Sequence, residues 1–365
     1  MIFLLLQITH SSPDFAGGKT IGVAHPLTDY VCFLPGEFSL PTFYSEEERG
    51  LLQGTTLADA VGQKLHSLDA EFDQLRKATQ EIAWCADRWW DEECGRLTVY
   101  DWKEVDAMYR SRALELPGTG HAMVPCVDMA NHASGDQTAA RYETDADGRA
   151  VLQTLHGRPL RGGEEVTITY GDEKGASEMI FSYGFLEPVP SARQLFLGLD
   201  IPMDDPLRMA KRFVCHEAPG VRVYVQADGQ MGWESPFVWW ICVNEEDGLN
   251  FRVLQTRDGA RGLAVTWAEE EISPGKLGDK LAASPQWELF HLRATVTVLG
   301  RINRQLAELE DTTEAFAAGE RQRGVRRAIW EQMGRLRELE YGFLVQAQKQ
   351  LETQVGAAHG EATVS

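Results

Sequence analysis

One stretch, residues 124–185, constrains what this chain can fold into more than any other part of it. It opens with the apolar run VPCV at 124–127 and passes directly into DMANH at 128–132. An apolar run that ends in Asp, Asn and His indicates a chain that leaves a buried layer and presents polar groups. Amide and imidazole groups in such a position read the edge of a small polar ligand well.

The same stretch closes with EVTITYGD at 165–172 and SYGF at 182–185. Apolar side chains alternate with two threonines in the first of these runs, which predicts a strand that ends at Tyr170 before a Gly-Asp turn. A helix is predicted over 177–186, and Gly184 is a typical helix stop.

Charge limits the class of partner. The chain carries 35 Lys and Arg against 55 Asp and Glu, a formal net charge of -20. Nucleic acid is not expected as a partner, because phosphate binding needs basic side chains. A protein with a basic, lysine-containing segment is the predicted partner, since an acidic surface attracts cations. The alternative, that the acidity only keeps the chain soluble, fits the composition equally well.

Six cysteines are scattered through the chain without a Cys-x-x-Cys pair. They predict reduced thiols in an intracellular protein of the cytoplasm or nucleus. The apolar run Met1 to Leu6 lacks a basic flank and is too short for a signal sequence or a membrane span, so no membrane association is expected. Residues 1–28 are predicted to be a poorly ordered leader.

The length of 365 residues, 43% of them hydrophobic, predicts two domains with a substantial core. Residues 29–116 are predicted to be helical, with helix starts at Ser45, Thr56 and Asp101. Residues 117–190 are predicted to be rich in β-structure.

Within that β-rich block, arms at 139–144 and 149–154 around an Asp-Ala-Asp-Gly turn predict a hairpin. The domain boundary is predicted near Pro190. Residues 191–365 should then be mainly helical, with candidate strands at 222–226 and 263–267.

Two long amphipathic helices, over about 292–309 and 325–351, are predicted to form an antiparallel hairpin at the end of the chain. This hairpin is either a peptide-binding face or only a structural support. The pattern favours the two interpretations equally.

The motifs VPxxDMxNH, GEEVxIxYGD and YGF together resemble the SET domain of protein methyltransferases. The similarity is to the class typified by Rubisco large-subunit lysine methyltransferase and the ribosomal-protein lysine methyltransferases. That class inserts a helical segment into the SET domain and adds a helical substrate-binding domain after it. The resemblance therefore implies an α+β fold over about residues 27–355, with a β-rich catalytic SET domain, a helical insertion and a mainly helical domain after it.

The resemblance implies S-adenosyl-L-methionine as the methyl donor and a lysine amine of a protein as the acceptor. The amine must arrive deprotonated, and an apolar channel lined by tyrosines would disfavour its ammonium form. A phenol at the junction of the two substrates can hydrogen-bond the amine and align it. Tyr170 stands where the family keeps its catalytic tyrosine.

The resemblance also assigns cofactor contacts. Tyr183 and Phe185 match the channel tyrosine and the aromatic residue against the adenine. Asn131 and His132 match the pair that reads the adenine and amino-acid ends of the cofactor, partly through backbone groups. Arg112 matches an arginine that faces the cofactor carboxylate.

Two features depart from the family pattern. No Gly-x-Gly segment is found before Leu27, and Ala176 stands where relatives place an Asn. Without the backbone donors of the glycine segment, weak cofactor binding and little turnover are expected. A catalytically impaired SET-fold module that binds protein therefore remains an alternative, as does histidine in place of lysine as the acceptor.

Other constellations are less informative. Asp128 and His132 are four residues apart, but no third ligand has suitable spacing, so no metal site is expected. Cys126 with His121 or His132 is the composition of a thiol hydrolase, yet no nucleophile motif surrounds it.

Overall fold

The structure is a computed structural model, and it describes residues 1–11, 27–91, 97–116, 118, 120–172, 174–190, 193–255, 261–319 and 323–362. The chain divides into two compact units. The first unit consists of Met1–Glu46, Asp59–Lys174 and Glu178–Val189, and the second of Glu47–Ala58, Gly175–Ser177 and Pro190–Ser365.

The α-helices of the described chain are α1 (Ile2–Ser11), α2 (Thr28–Cys32), α3 (Glu46–Gly50), α4 (Thr56–Thr79), α5 (Ala83–Arg88), α6 (Val99–Arg112), α7 (Ala176–Tyr183), α8 (Arg208–Val214), α9 (Val238–Cys242), α10 (Leu277–Ala282), α11 (Trp287–Asp311), α12 (Thr313–Gly319) and α13 (Arg327–Ala362). The β-strands are β1 (Leu114–Leu116), β2 (Gly120–Ala122), β3 (Ala140–Thr144), β4 (Ala150–Thr154), β5 (Gln194–Gly198), β6 (Gly220–Val225), β7 (Met231–Glu234), β8 (Leu249–Gln255), β9 (Arg261–Trp267) and β10 (Glu270–Ile272).

A helical core in the first unit includes α1. The buried side chains of this core are Leu5, Leu68, Leu75, Cys85, Trp89, Leu97, Trp102 and Val105. The indole N–H of Trp89 also donates to Thr9 Oγ1 at 3.1 Å. The prediction of a poorly ordered leader is therefore wrong for residues 2–11, which form α1 and contribute Leu5 to this core. Residues 12–26 lie outside the described residues, so the predicted lack of a Gly-x-Gly segment before Leu27 concerns a part of the chain that the structure does not describe.

Helix α6 begins at a capping box. The hydroxyl of Thr98 accepts from the Asp101 N–H, and the Asp101 carboxylate accepts from the Thr98 N–H at 2.6 Å. The cap is Thr98 rather than the predicted Asp101, because the Thr98 side chain reaches the free N–H groups of the first turn. The helix ends at Arg112, as the sequence predicted.

The predicted hairpin forms between β3 and β4, which pair in antiparallel register from Ala140 with Thr154 to Thr144 with Ala150. Asp145 Oδ1 accepts from the N–H groups of Asp147 and Arg149, at 2.9 and 2.8 Å. Such side-chain bonds to the following backbone are typical of Asp in turns.

The strand predicted up to Tyr170 does not form. Ile168 makes a single parallel bridge with His132, donating its N–H to Asn131 O and accepting from Ala133 N–H, both at 2.9 Å. Thr167 O accepts instead from Ala139 and Ala140. The alternating pattern was correct about burial only for Ile168, which is fully buried, since its neighbours on both faces are partly buried. Neighbouring residues also bond to different segments.

The second unit contains two three-stranded antiparallel sheets, in the orders β5-β6-β7 and β8-β9-β10. The sequence predicted only β6 and β9 of these six strands. Helices α11 and α13 run antiparallel, as predicted, since Arg337 contacts Leu309 while Gln348 contacts Asn303. Their buried faces share one core with the first of the two sheets.

Within the described residues, no helix is both long and apolar enough to cross a membrane. Five cysteines there are free thiols, and Cys94 lies outside the described part. The same residues contain no group of three His, Cys, Asp or Glu side chains arranged to hold a metal ion.

Candidate active site

Four aromatic side chains of the first unit converge on one place. The ring centroids of Tyr170 and Tyr183 are 4.6 Å apart, and His132 lies 5.1 Å from Tyr170. Phe185 completes the cluster, 6.5 Å from Tyr170 and 6.3 Å from Tyr183. Four of the six residues singled out from the sequence thus lie together, although 53 positions separate the first from the last.

Tyr170 is held at three points. Its hydroxyl donates to Ala130 O at 2.9 Å, and its backbone N–H donates to His132 Nδ1 at 3.0 Å. The Tyr183 hydroxyl donates to the backbone oxygen of Tyr170 at 3.4 Å. The phenol therefore has a defined position, and its one hydrogen is directed at a backbone carbonyl.

His132 is bonded through both ring nitrogens. Nδ1 accepts from Tyr170, so Nε2 carries the proton in the neutral ring and donates to Glu187 Oε1 at 2.8 Å. The imidazole is 4% exposed. Its two hydrogen bonds link the Tyr170 backbone to the Glu187 carboxylate. Sequence reasoning missed Glu187, which lies 55 positions away and belongs to no recognised motif.

Gly184 makes the turn that brings Phe185 back to the cluster. Its φ of +81° is in the left-handed region, and its N–H closes α7 by donating to Ile180 O at 3.0 Å. A Cβ at this position would lie 2.9 Å from the backbone carbon and oxygen of Ser39. Only glycine fits both the turn and the close approach.

Arg112, at the end of α6, lies beside a buried carboxyl. Its Nη1 donates to Asp128 O at 2.9 Å, and the Tyr30 hydroxyl donates to Asp128 Oδ2. Arg112 Nε and Asp128 Oδ1 are both buried and have no hydrogen-bond partner among the described residues. A buried donor without a partner is costly, which indicates a place for an additional acceptor.

Asn131 does not join this cluster through its side chain. The residue is exposed, and its amide nitrogen donates to Glu165 Oε1 at 2.6 Å. Its backbone oxygen accepts from Ile168 N–H. Ala176, which stands where relatives place an Asn, is buried in the first turn of α7.

Burial raises the pKa of three acidic groups of the site. Desolvation raises the pKa of Tyr170, although the nearby Arg112 opposes this shift. Desolvation, with Glu178 and Tyr142 nearby, raises the pKa of Tyr183 to about 12. Desolvation also raises the pKa of Asp128, against the hydrogen bond from Tyr30 and the charge of Arg112. At neutral pH the tyrosines are therefore uncharged hydrogen-bonding groups.

No family model matches the chain. It is 30% identical over 268 residues to SET domain-containing protein 8 of Schizosaccharomyces pombe, covering 72% of this chain and 59% of that protein. It is 30% identical over 183 residues to the chloroplastic [fructose-bisphosphate aldolase]-lysine N-methyltransferase of Arabidopsis thaliana, covering 48% of this chain and 37% of that one. The chain thus spans between about a third and three fifths of the length of these relatives.

A third relative is the ribulose-1,5 bisphosphate carboxylase/oxygenase large subunit N-methyltransferase of Pisum sativum, 29% identical over 48% of this chain and 36% of that protein. Solved structures are similar over 97% of this chain. The SET domain of LSMT bound to lysine and AdoHcy has a TM-score of 0.66 at 19% identity, with 75% of that chain covered. Rubisco LSMT bound to AdoMet has a TM-score of 0.61 at 18% identity, again with 75% covered.

Proposed function

Because this chain is a SET-domain protein with the predicted α+β fold, as its sequence relatives and structural neighbours agree, we propose that it is an S-adenosylmethionine-dependent protein-lysine N-methyltransferase. The observation that carries the proposal is the cluster of Tyr170, Tyr183, His132 and Phe185, with the Tyr170 hydroxyl fixed by Ala130 O. Two of the relatives described above are named N-methyltransferases.

The fixed phenol has a chemical consequence. Since the Tyr170 hydrogen is donated to Ala130, the phenol oxygen can only accept a hydrogen from an incoming amine. Accepting an amine N–H orients the amine but leaves its lone pair free for the methyl group. Tyr170 would therefore align the nucleophile without competing for its electrons.

The residues present fit the cofactor. Arg112 Nε, a buried donor without a partner among the described residues, would bind its carboxylate, and Phe185 would pack against the adenine. Asn131 and His132 would contribute backbone groups, because both side chains are engaged with carboxylates. When bound, S-adenosylmethionine supplies the methyl group on a sulfonium. Tyr183, whose hydroxyl contacts the Tyr170 backbone, would line the lysine channel.

The proposed substrate is a protein with a basic, lysine-containing segment, which the formal charge of -20 favours. Its recognition is assigned to the second unit, in which α11 and α13 follow the two sheets. The five free thiols are consistent with an intracellular setting.

Transfer of labelled methyl groups tests the proposal. We expect Tyr170→Phe to leave affinity for the demethylated cofactor nearly unchanged while lowering transfer about a hundredfold or more, the usual effect of removing one catalytic hydrogen-bonding group. Tyr109→Phe is the matched control, because the Tyr109 hydroxyl also contacts a backbone carbonyl, that of His121, at 3.4 Å. This control should retain normal transfer.

The assay uses labelled cofactor with a protein extract, and mass spectrometry then identifies the modified side chain. Near-normal transfer by Tyr170→Phe would show that the phenol is not catalytic. Cofactor binding without any methyl transfer by the wild-type chain would support a catalytically impaired binding module. Label on histidine would show that the acceptor is histidine rather than lysine.

A further inference from the structure

A cavity of about 640 Å³ lies within the second unit, and aromatic rings line it. Trp233 on β7, Trp239 on α9, and Trp287 and His291 on α11 contact one another in a closed circuit. Their ring centroids are 6.2 Å apart for Trp233 and Trp239, 5.3 Å for Trp239 and Trp287, 5.4 Å for Trp287 and His291, and 5.7 Å for His291 and Trp233. We call these four side chains the aromatic wall.

The aromatic wall is more exposed than a core would be. Each of its four residues is only half-buried, although the three tryptophans also pack against buried cores. Gly278 lets the indole of Trp239 lie close to α10, since a Cβ there would be 3.1 Å from Trp239 Cδ1 and Nε1. Adjacent half-buried indoles around a concave space are typical of a ligand site.

The charge around the cavity is negative. Glu217, Glu234 and Asp279 line it, and no Lys or Arg is among its described lining residues. Glu234 and Asp279 have partners in Arg222 and Lys276, both at 2.8 Å, but these pairs are exposed and therefore weak. For Glu217, the described residues offer no ion-pair partner. Carboxylates beside indoles favour a cation that can leave water easily.

A methylated ammonium is such a cation. Each methyl group replaces a strongly hydrated N–H and spreads the charge over an apolar surface. Dehydration then costs less than for an unmodified ammonium, while attraction to the faces of the indoles is retained.

The neighbouring strand offers a place for a peptide. β7 is the last strand of its sheet in the described chain, and the Met231 N–H and C=O bond to the side-chain amide of Gln350 at 2.7 and 2.8 Å. Because outward and inward backbone groups alternate along an antiparallel strand, the N–H and C=O of Trp233 face the same edge, two residues beyond the position that Gln350 occupies. An extended peptide can pair with such an edge.

We propose that the aromatic wall and Glu217 bind the methylated side chain of a lysine on a protein whose backbone lies beside Trp233 of β7. This site is distinct from the Tyr170 cluster and would hold a protein that already carries methyl groups. The proposal does not depend on methyl transfer by Tyr170, so the two are tested separately.

Calorimetric titration of the full chain tests the site. The probes are one peptide in three forms, carrying trimethyllysine, unmodified lysine or the uncharged carbon isostere of trimethyllysine. We expect the trimethyllysine form to bind roughly tenfold more tightly than either other form, the usual scale of a cation over indole faces. Equal affinities for the three forms would overturn the proposal.

Two variants locate the binding. Trp287→Leu keeps an apolar side chain but removes an indole, and it should weaken trimethyllysine binding roughly tenfold. Glu217→Gln should weaken it about threefold without affecting folding. The matched controls are Trp330→Phe, a half-buried indole stacked on Phe316, and Glu331→Gln on α13. Wild-type affinity in both cavity variants would refute the site.

A further comparison separates a protein from a small cation. Choline and its uncharged analogue 3,3-dimethylbutanol are titrated beside the peptides. Binding of choline without binding of the trimethyllysine peptide would overturn the assignment to a protein. Methyl transfer is measured in parallel in Trp287→Leu, so that failure at this site and failure of the Tyr170 chemistry give different results.

Discussion

Glu340, in the middle of α13, is a buried acid whose protonation should control the stability of the second unit. The residue is 0% exposed, and its carboxyl accepts from the Thr56 N–H at 3.0 Å. Desolvation raises its pKa from 4.5 to about 7, against the two hydrogen bonds from Thr56 and the charge of Arg337. The side chain thus holds its proton in the folded state at pH values where an unfolded chain has released it.

The sign and size of the effect follow from this difference. Between pH 4.5 and about 7 the folded state binds more protons than the unfolded state, so the free energy of unfolding falls as pH rises. The rise of the Glu340 pKa from 4.5 to about 7 corresponds to roughly 3 kcal/mol of unfolding free energy, since a tenfold change in proton affinity is about 1.4 kcal/mol. The contribution should be constant below pH 4.5 and again above about 7.

Glu340→Gln removes the titration and keeps the shape. The amide oxygen can accept from Thr56 N–H, and its NH₂ can donate to the Thr56 hydroxyl. We expect the variant to match the wild type in stability near pH 5 and to exceed it by up to roughly 3 kcal/mol at pH 8. Urea denaturation from pH 5 to pH 8 measures the difference.

Glu338→Gln is the matched control, since Glu338 is exposed on the same helix and pairs with Arg335. The control should follow the wild type at every pH. A stability difference between wild type and Glu340→Gln that stayed constant from pH 5 to pH 8 would refute the reasoning.

Two further changes test the framework around the sites. Gly184→Ala should lower the free energy of unfolding by about 2 kcal/mol or more, because φ is positive there and the Ser39 backbone is close. The control is Gly62→Ala in α4, where a Cβ would meet no other atom, and it should be neutral or stabilising. Thermal unfolding measures both variants. Lys211→Met should cost about 3 to 5 kcal/mol, since the fully buried Lys211 ammonium pairs with Asp205 at 2.6 Å. Replacing Asp205 by Leu in addition should restore part of that loss, and a double variant no more stable than Lys211→Met would contradict it.

The sequence predicted those elements whose signals are local. Helix α4, the β3–β4 hairpin and the two long helices each carry their periodicity or turn chemistry within one segment. The predicted strand before Tyr170 failed because its backbone bonds are divided between separate segments, which no alternating pattern encodes. Strands β5, β7 and β10 are short, and these three strands and β8 are each defined by pairing with β6 or β9.

The residues of the candidate site also differ in whether a local sequence signal marks them. Tyr170, His132, Tyr183 and Phe185 were found because they lie in recognisable motifs. Tyr30, which bonds Asp128 across 98 positions, could not be found, since a single tyrosine after an irregular stretch carries no pattern. Long-range hydrogen bonds of this kind are defined only by the folded backbone.

In the proposed reaction, the electrostatics of the cluster determine where the proton of a lysine ammonium can go. Tyr170 cannot take it, because a buried phenol with a raised pKa is uncharged and its own hydrogen is bound to Ala130 O. Tyr183, with a pKa of about 12, is also protonated at neutral pH. His132 has both ring nitrogens engaged. The proton must therefore leave before the amine enters the cluster or pass to water, and the aromatic residues act by orienting a neutral amine rather than by accepting its proton.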